Sequence, residues 1–144
     1  MIIPSETGYA LALLFVRWNL GVVMFAHGAQ KVLGWFGGQG PQRSAESFRR
    51  NWNIPKELFL LSAYSELLCG LALVLGMYSR SAAVVTGVNM FVATLKAQSR
   101  HGFFLRSVEG RAVGMEFTLT LFFISVAVAV AGGGPYSLDS IFGV

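Results

Sequence analysis

Several side chains able to carry charge or exchange protons fall inside apolar stretches, where such groups are rare. Arg17 interrupts the run Tyr9 to Gly28, and two further runs each carry a carboxylate, Glu66 and Glu116. His27, Lys31 and Asn89 complete the set. An ionised side chain in hydrocarbon costs about 2.5–3.5 kcal/mol on insertion scales, so it marks a functional or paired position. Glu66, Glu116 and His27 are the candidate catalytic groups, because a carboxyl or imidazole in a low-dielectric pocket can take up and release protons. Arg17, Lys31 and Asn89 are candidate ligand-binding groups, with Arg17 either holding an anionic oxygen or pairing with Glu66. Trp18 and Tyr64, with Phe25 and Trp35, supply aromatic surface for a ring. A quinone or an aromatic diol suits this combination: it is apolar enough to enter from lipid, and its oxygens need a proton donor or acceptor.

Other chemistry finds little support. One histidine lies deep in a run, His101 lies in a loop, and no Cys/His spacing matches a zinc or haem site, so no metal is expected. Cys69 is the single cysteine, which excludes an intramolecular disulfide and a CxxC redox pair. A dinucleotide fingerprint, a phosphate loop and a nucleophile elbow are all missing. The cofactor is unknown, and a quinone is the one the residues suggest. An electron carrier would have to come from a bound group or a partner.

The elements that must position these groups are membrane helices. The chain is 144 residues long, 54% apolar and 12% charged, against about 25% charged in soluble domains. Four hydrophobic segments, roughly 9–30, 57–78, 81–97 and 113–132, approach the ~20 residues that cross a ~30 Å hydrocarbon core. Strict apolar/polar alternation is absent, which argues against a membrane barrel. The expected fold is therefore all-α: a single integral membrane bundle of four transmembrane helices. A short interfacial helix is expected in the first long loop. The first segment does not read as a signal peptide, since it lacks a basic start and contains Arg17.

Charge placement predicts orientation. Loop 31–56 holds Lys31, Arg43, Arg49, Arg50 and Lys56, and loop 96–112 holds Lys96, Arg100, Arg106 and Arg111. Only Arg80 lies on the opposite side. The positive-inside rule then puts both long loops in the cytoplasm and both termini outside, as expected for a bacterial inner-membrane protein. The same cations suit anionic lipid head groups rather than nucleic acid.

Locally, Ser44–Trp52 is expected to form the interfacial helix with Ser44 as N-cap. Pro55 is expected in the first turn of the second span. Gly76–Ser81 makes a tight turn between antiparallel neighbours, loop 98–112 contains a partial helix, and the tail from Gly132 to Asp139 is turn-forming. At 1.5 Å rise per residue, His27 and Glu116 both lie ~6 Å from the cytoplasmic ends of their spans. Glu66 and Asn89 lie at ~12–13 Å and Arg17 at ~21 Å. These levels allow a His27–Glu116 hydrogen bond, an Arg17–Glu66 pair and one interior pocket open to the cytoplasm. The plainer alternative is that Arg17–Glu66 fixes register, His27 is a satisfied core residue, Lys31 snorkels and Asn89 is interhelical glue.

Arg17, His27-Gly28-x-x-Lys31, Glu66 with Gly70, Gly76-Met-Tyr-Ser-Arg80, His101-Gly102-Phe103-Phe104, Glu116 and Gly134-Pro135-Tyr-Ser137-Leu-Asp139 together resemble the DoxX family. The resemblance covers about residues 8–140. It implies a four-helix membrane bundle and links to thiosulfate:quinone oxidoreductase, hydroquinone or catechol stress, and membrane complexes of oxidative-stress defence. The extra domains of the larger thiosulfate-oxidising relatives are missing here. Three functions remain open: a quinone-linked redox protein, a non-catalytic accessory subunit of a larger complex, and a small-molecule transporter. A homo-oligomer or a larger membrane assembly is expected in each case.

Overall fold

The computed structural model describes residues 5–108 and 111–143. Six α-helices carry the fold among these residues: α1 (Glu6–Val32), α2 (Gly40–Trp52), α3 (Lys56–Leu75), α4 (Ser79–Ala93), α5 (Glu116–Ala131) and α6 (Leu138–Phe142). A π-helical turn, Thr94–Gln98, and a 3-10 turn, Ser99–His101, extend α4. Strands β1 (Arg106–Val108) and β2 (Arg111–Val113) form an antiparallel pair with Ser107 opposite Ala112.

Small residues set how the long helices meet. α1 and α3 run antiparallel and touch at backbone distance where Gly21, Gly28 and Gly70 face Val74, Leu67 and Phe25. A Cβ added at Gly21 would sit 2.7 Å from the Val74 nitrogen. Glycine at such crossings lets helices approach without relying on water exclusion, which lipid does not provide. α4 and α5 form a second antiparallel pair, with Gly87 against Ser125 and Phe91 against Phe122. The α3–α4 turn joins the pairs, and Leu20, Met24, Leu73, Ala83, Met90, Leu121 and Val128 fill the space between them. Ala45 and Phe48 of α2 pack on Phe59 and Ala63 of α3. The outward faces are apolar as well: Leu61, Leu68, Phe123 and Val130 are each more than 60% exposed. A bundle greasy both inside and outside is a lipid-embedded one.

α1 and α3 are long and apolar enough to cross a membrane, whereas α5 is apolar but shorter, at 16 residues. All four long helices turn at two common ends. One, the turn end, gathers the α3–α4 turn and the C-terminal tail. The other, the loop end, gathers α2 and residues 98–108 and 111–115.

Three local expectations are corrected. α2 begins at Gly40 with Pro41 in its first turn, so Ser44 lies inside the helix and caps nothing. Pro55 is the N-cap of α3, one residue before its first turn. Among its described residues, loop 98–112 holds the 3-10 turn and paired strand segments in place of a partial helix. Gly102, at φ 87° and ψ −174°, takes a conformation no helix contains.

Candidate functional site

Arg17 is 1% exposed and forms a centre of its own at the turn end. Its Nε donates to the Gly133 carbonyl at 3.1 Å and Nη2 to the Tyr136 carbonyl at 2.7 Å. Nη1 donates to the carbonyls of Leu73 at 2.5 Å and Val74 at 3.1 Å. Leu73 and Val74 belong to the last turn of α3, where carbonyls have no partner within the helix. A cation there also meets the negative end of the helix dipole. The planar guanidinium suits this task, since its donors point outward in a fixed fork. Arg17 thus ties α1, α3 and the tail together through backbone atoms. The expected pairing with Glu66 does not form, and neither does one with Glu116.

The depth estimate failed because α1 outreaches its neighbour. Gly21 lies against Val74, so Arg17, one turn further toward the N-terminus, stands opposite the end of α3. Measured along α1 alone it looked deep. Measured against the bundle it lies at the rim.

Two more residues complete the turn end. Asp139 Oδ1 accepts from the Tyr78 N–H at 2.6 Å and Oδ2 from the Ser79 N–H at 2.8 Å. The Asp139 N–H in turn donates to the Gly76 carbonyl at 2.8 Å. Asp139 therefore caps α4 from sixty residues away. Arg80 Nη1 donates to the carbonyls of Ala129 at 3.0 Å and Val130 at 2.6 Å, closing the end of α5. Gly76, at φ +71°, leaves room for Arg17, whose Nη1 would lie 2.6 Å from a Cβ there. A cavity of about 350 Å³ opens beside this knot, lined by Ser79, Arg80, Gly133, Ser137 and Asp139 among others. Among the described residues, Ser79 Oγ and Thr86 Oγ1 are the buried side-chain atoms with no hydrogen-bond partner.

The loop end is built differently. Lys31 Nζ donates to Glu66 Oε2, an ion pair in which the Glu66 side chain is 4% exposed and that of Lys31 is 22% exposed. Lys31 takes the partner role expected of Arg17. Asn89 Nδ2 donates to Ser65 Oγ at 2.8 Å, linking α4 to α3 beside Glu66. His27 is exposed, one helical turn before Lys31, with its ring 5.8 Å from that of Phe117. It makes no hydrogen bond to Glu116 among the described residues. Glu116 Oε1 instead accepts from the Leu105 N–H at 2.8 Å, and its own N–H donates to the Phe103 carbonyl at 2.9 Å. Glu116 thus stands at the start of α5 and holds loop 102–105, rather than lying within a span. Thr94 Oγ1 donates to Thr118 Oγ1 at 2.8 Å, and Gln98 Oε1 accepts from the Gly114 N–H at 3.1 Å, fastening the π turn to the start of α5.

The expected residues therefore do not share one pocket. Glu66, Lys31, His27 and Asn89 gather toward the loop end, Glu116 serves the loop beside them, and Arg17 is at the opposite end. Trp18 and Tyr64 are half-exposed on outward faces. Among the described residues no three His, Cys, Asp or Glu side chains come together as a metal site would need. Sequence reasoning missed Asp139 and Arg80 as helix caps. The signal for Asp139 is the turn-forming tail, and that for Arg80 is its place as the one cation of the Gly76–Ser81 turn.

Long apolar helices tied by buried polar groups and clothed in apolar side chains define a helical membrane protein. The chain belongs to the DoxX family, whose model matches residues 12–99, more than half of it. That match contains Arg17, Lys31, Glu66 and Arg80, while Glu116 and Asp139 lie beyond it. No curated protein and no solved structure matches the chain.

Proposed function

We propose that this DoxX-family protein is a four-span bundle acting as a non-catalytic accessory or assembly subunit of a larger membrane complex. The complex would be of the redox or oxidative-stress kind that the family resemblance implies. α4 with its π turn and α5 serve as the third and fourth spans, and the basic loop end faces the cytoplasm. One observation carries the reading: the ionisable side chains buried in the bundle are taken up by internal partners. Arg17 has four carbonyls and Glu66 has Lys31. Groups so engaged stabilise an architecture: Arg17 has four of its five N–H donors committed, and the charge of Glu66 is answered within the bundle.

Native mass spectrometry of the protein gently extracted from its own membranes tests this. A stoichiometric protein partner is the expected result. A homo-oligomer carrying a quinone-sized molecule and no partner would overturn it.

A quinone-linked redox role is the second reading, favoured by the exposed His27 ring beside the Lys31–Glu66 pair. There a lipid-borne diol could meet an imidazole, a carboxylate and the Phe117 ring together. In that case Glu66→Gln abolishes quinone binding while the fold persists. Unchanged binding in that variant would remove the reading.

A further inference from the structure

α2 has two unlike faces. Ala45 is fully buried, and Phe48 lies between Trp52 and Phe59 with ring centroids 4.5 and 4.6 Å away. The opposite face carries Arg43, Ser47 and Arg50, residues three, four and seven apart and hence neighbours along one side. An open cleft of about 610 Å³ runs along that face, with Gln39, Gln42 and Asn51 as its other polar walls. The cleft is rich in donors. Arg43 and Arg50 are exposed, and Ser47 Oγ accepts from Asn51 Nδ2 at 3.2 Å, which leaves the serine hydroxyl proton free to donate. Its one carboxylate, Glu46, also lines it, with Oε1 3.5 Å from Arg50 Nε.

The position of the cleft says what it meets. α2 joins the ends of α1 and α3, the two helices able to cross a membrane. The turn leading into it exposes Leu33, Trp35 and Phe36. Exposed aromatic side chains next to arginines are the pattern of the headgroup layer, where apolar rings enter the acyl boundary and cations meet phosphates. Lys56 and Arg49, both exposed, extend the positive surface on either side.

We propose that the Arg43–Ser47–Arg50 face of α2 is a binding site for the phosphodiester headgroup of an anionic phospholipid from the surrounding bilayer. Arg43 and Arg50 clasp the phosphate from two sides, with Gln42 and Ser47 donating to its oxygens or to the glycerol beyond. Arginine forks favour a phosphate over a zwitterionic headgroup, because no neighbouring ammonium then opposes them.

The test uses the full chain in a mild detergent, with phosphatidylglycerol and phosphatidylcholine titrated separately and bound lipid counted by native mass spectrometry. The wild type is expected to retain phosphatidylglycerol preferentially. The double variant Arg43→Gln/Arg50→Gln is expected to bind it about tenfold or more weakly, from the loss of two interfacial cations. Arg100→Gln, an exposed cation at the same end, is expected to leave retention unchanged. Circular dichroism on each protein verifies the fold, which these exposed positions do not support. Equal retention by the double variant would overturn the site. So would full displacement of the lipid by millimolar inorganic phosphate, which would make the cleft a site for free phosphate.

Discussion

The two ends of this bundle solve the same problem with different materials. At the turn end, Arg17, Arg80 and Asp139 bond to backbone atoms, at helix termini and in the tail. At the loop end, Lys31 with Glu66 and Asn89 with Ser65 bond side chain to side chain between the helices, while Glu116 and Gln98 reach backbone N–H groups in the adjoining loop. Backbone acceptors at a helix end cannot turn away, so a lost cation leaves them bare. Side-chain partners can rotate toward water or a ligand. The turn end is therefore a lock, and the loop end is the part able to rearrange.

The largest effect should come from Arg17→Ala, which strips four carbonyls of their donor. A loss of about 3–5 kcal/mol is expected from removing one side of a buried charged network. Thermal unfolding in detergent, or the amount of protein accumulating in membranes, reads it. Arg17→Lys should recover only part, because an ammonium cannot reproduce the fork. Full stability in Arg17→Ala would erase the contrast between the ends.

Glu66→Gln comes next, at about 1–3 kcal/mol. Lys31 is partly exposed and can follow water, so the penalty should stay below that of Arg17→Ala. An equal or larger loss would show that the loop end is as rigid as the turn end. Asp139→Ala removes a cap and should cost about 1 kcal/mol, seen as faster amide hydrogen exchange at Tyr78 and Ser79. Asn89→Ala should cost about 0.6 kcal/mol, the average for a polar contact between membrane helices. Smallest of all, Ser79→Ala should leave the melting temperature unchanged or raise it slightly, since the Ser79 hydroxyl is buried without a partner. A clear drop would mean that an internal water serves that hydroxyl.

The helices were legible in the sequence because long apolar runs bounded by glycine and proline leave few alternatives. The chain also exposed its unusual residues, since a charge among leucines stands out wherever it is. Partnership was not legible. Opposite charge makes a carboxylate the obvious partner for Arg17, yet carbonyls at the end of α3 leave no mark in a sequence. Depth misled for a related reason: the overhang of α1 depends on which residue of α3 faces Gly21, a long-range register that spacing along one helix cannot supply. Glu116 was placed within a span because it opens an apolar run. Helix α5 starts on it, and its side chain reaches back to hold the loop. Asp139 shows the opposite case: its tail was flagged by composition, but the helix that it caps lies too far away in sequence to be paired by pattern.

The bonds of Arg17 have an order in time. The guanidinium is made with the first helix, before any of its acceptors. Leu73 arrives 56 residues later and Tyr136 119 residues later. Until Tyr136 is added, every nascent chain carries a cation near the rim of its first span whose set of acceptors is incomplete. A message cut short anywhere before the tail yields a product that cannot close this bond set, whatever else it has folded. The same arginine that holds the bundle together therefore also reports whether the tail that carries Gly133 and Tyr136 has been made.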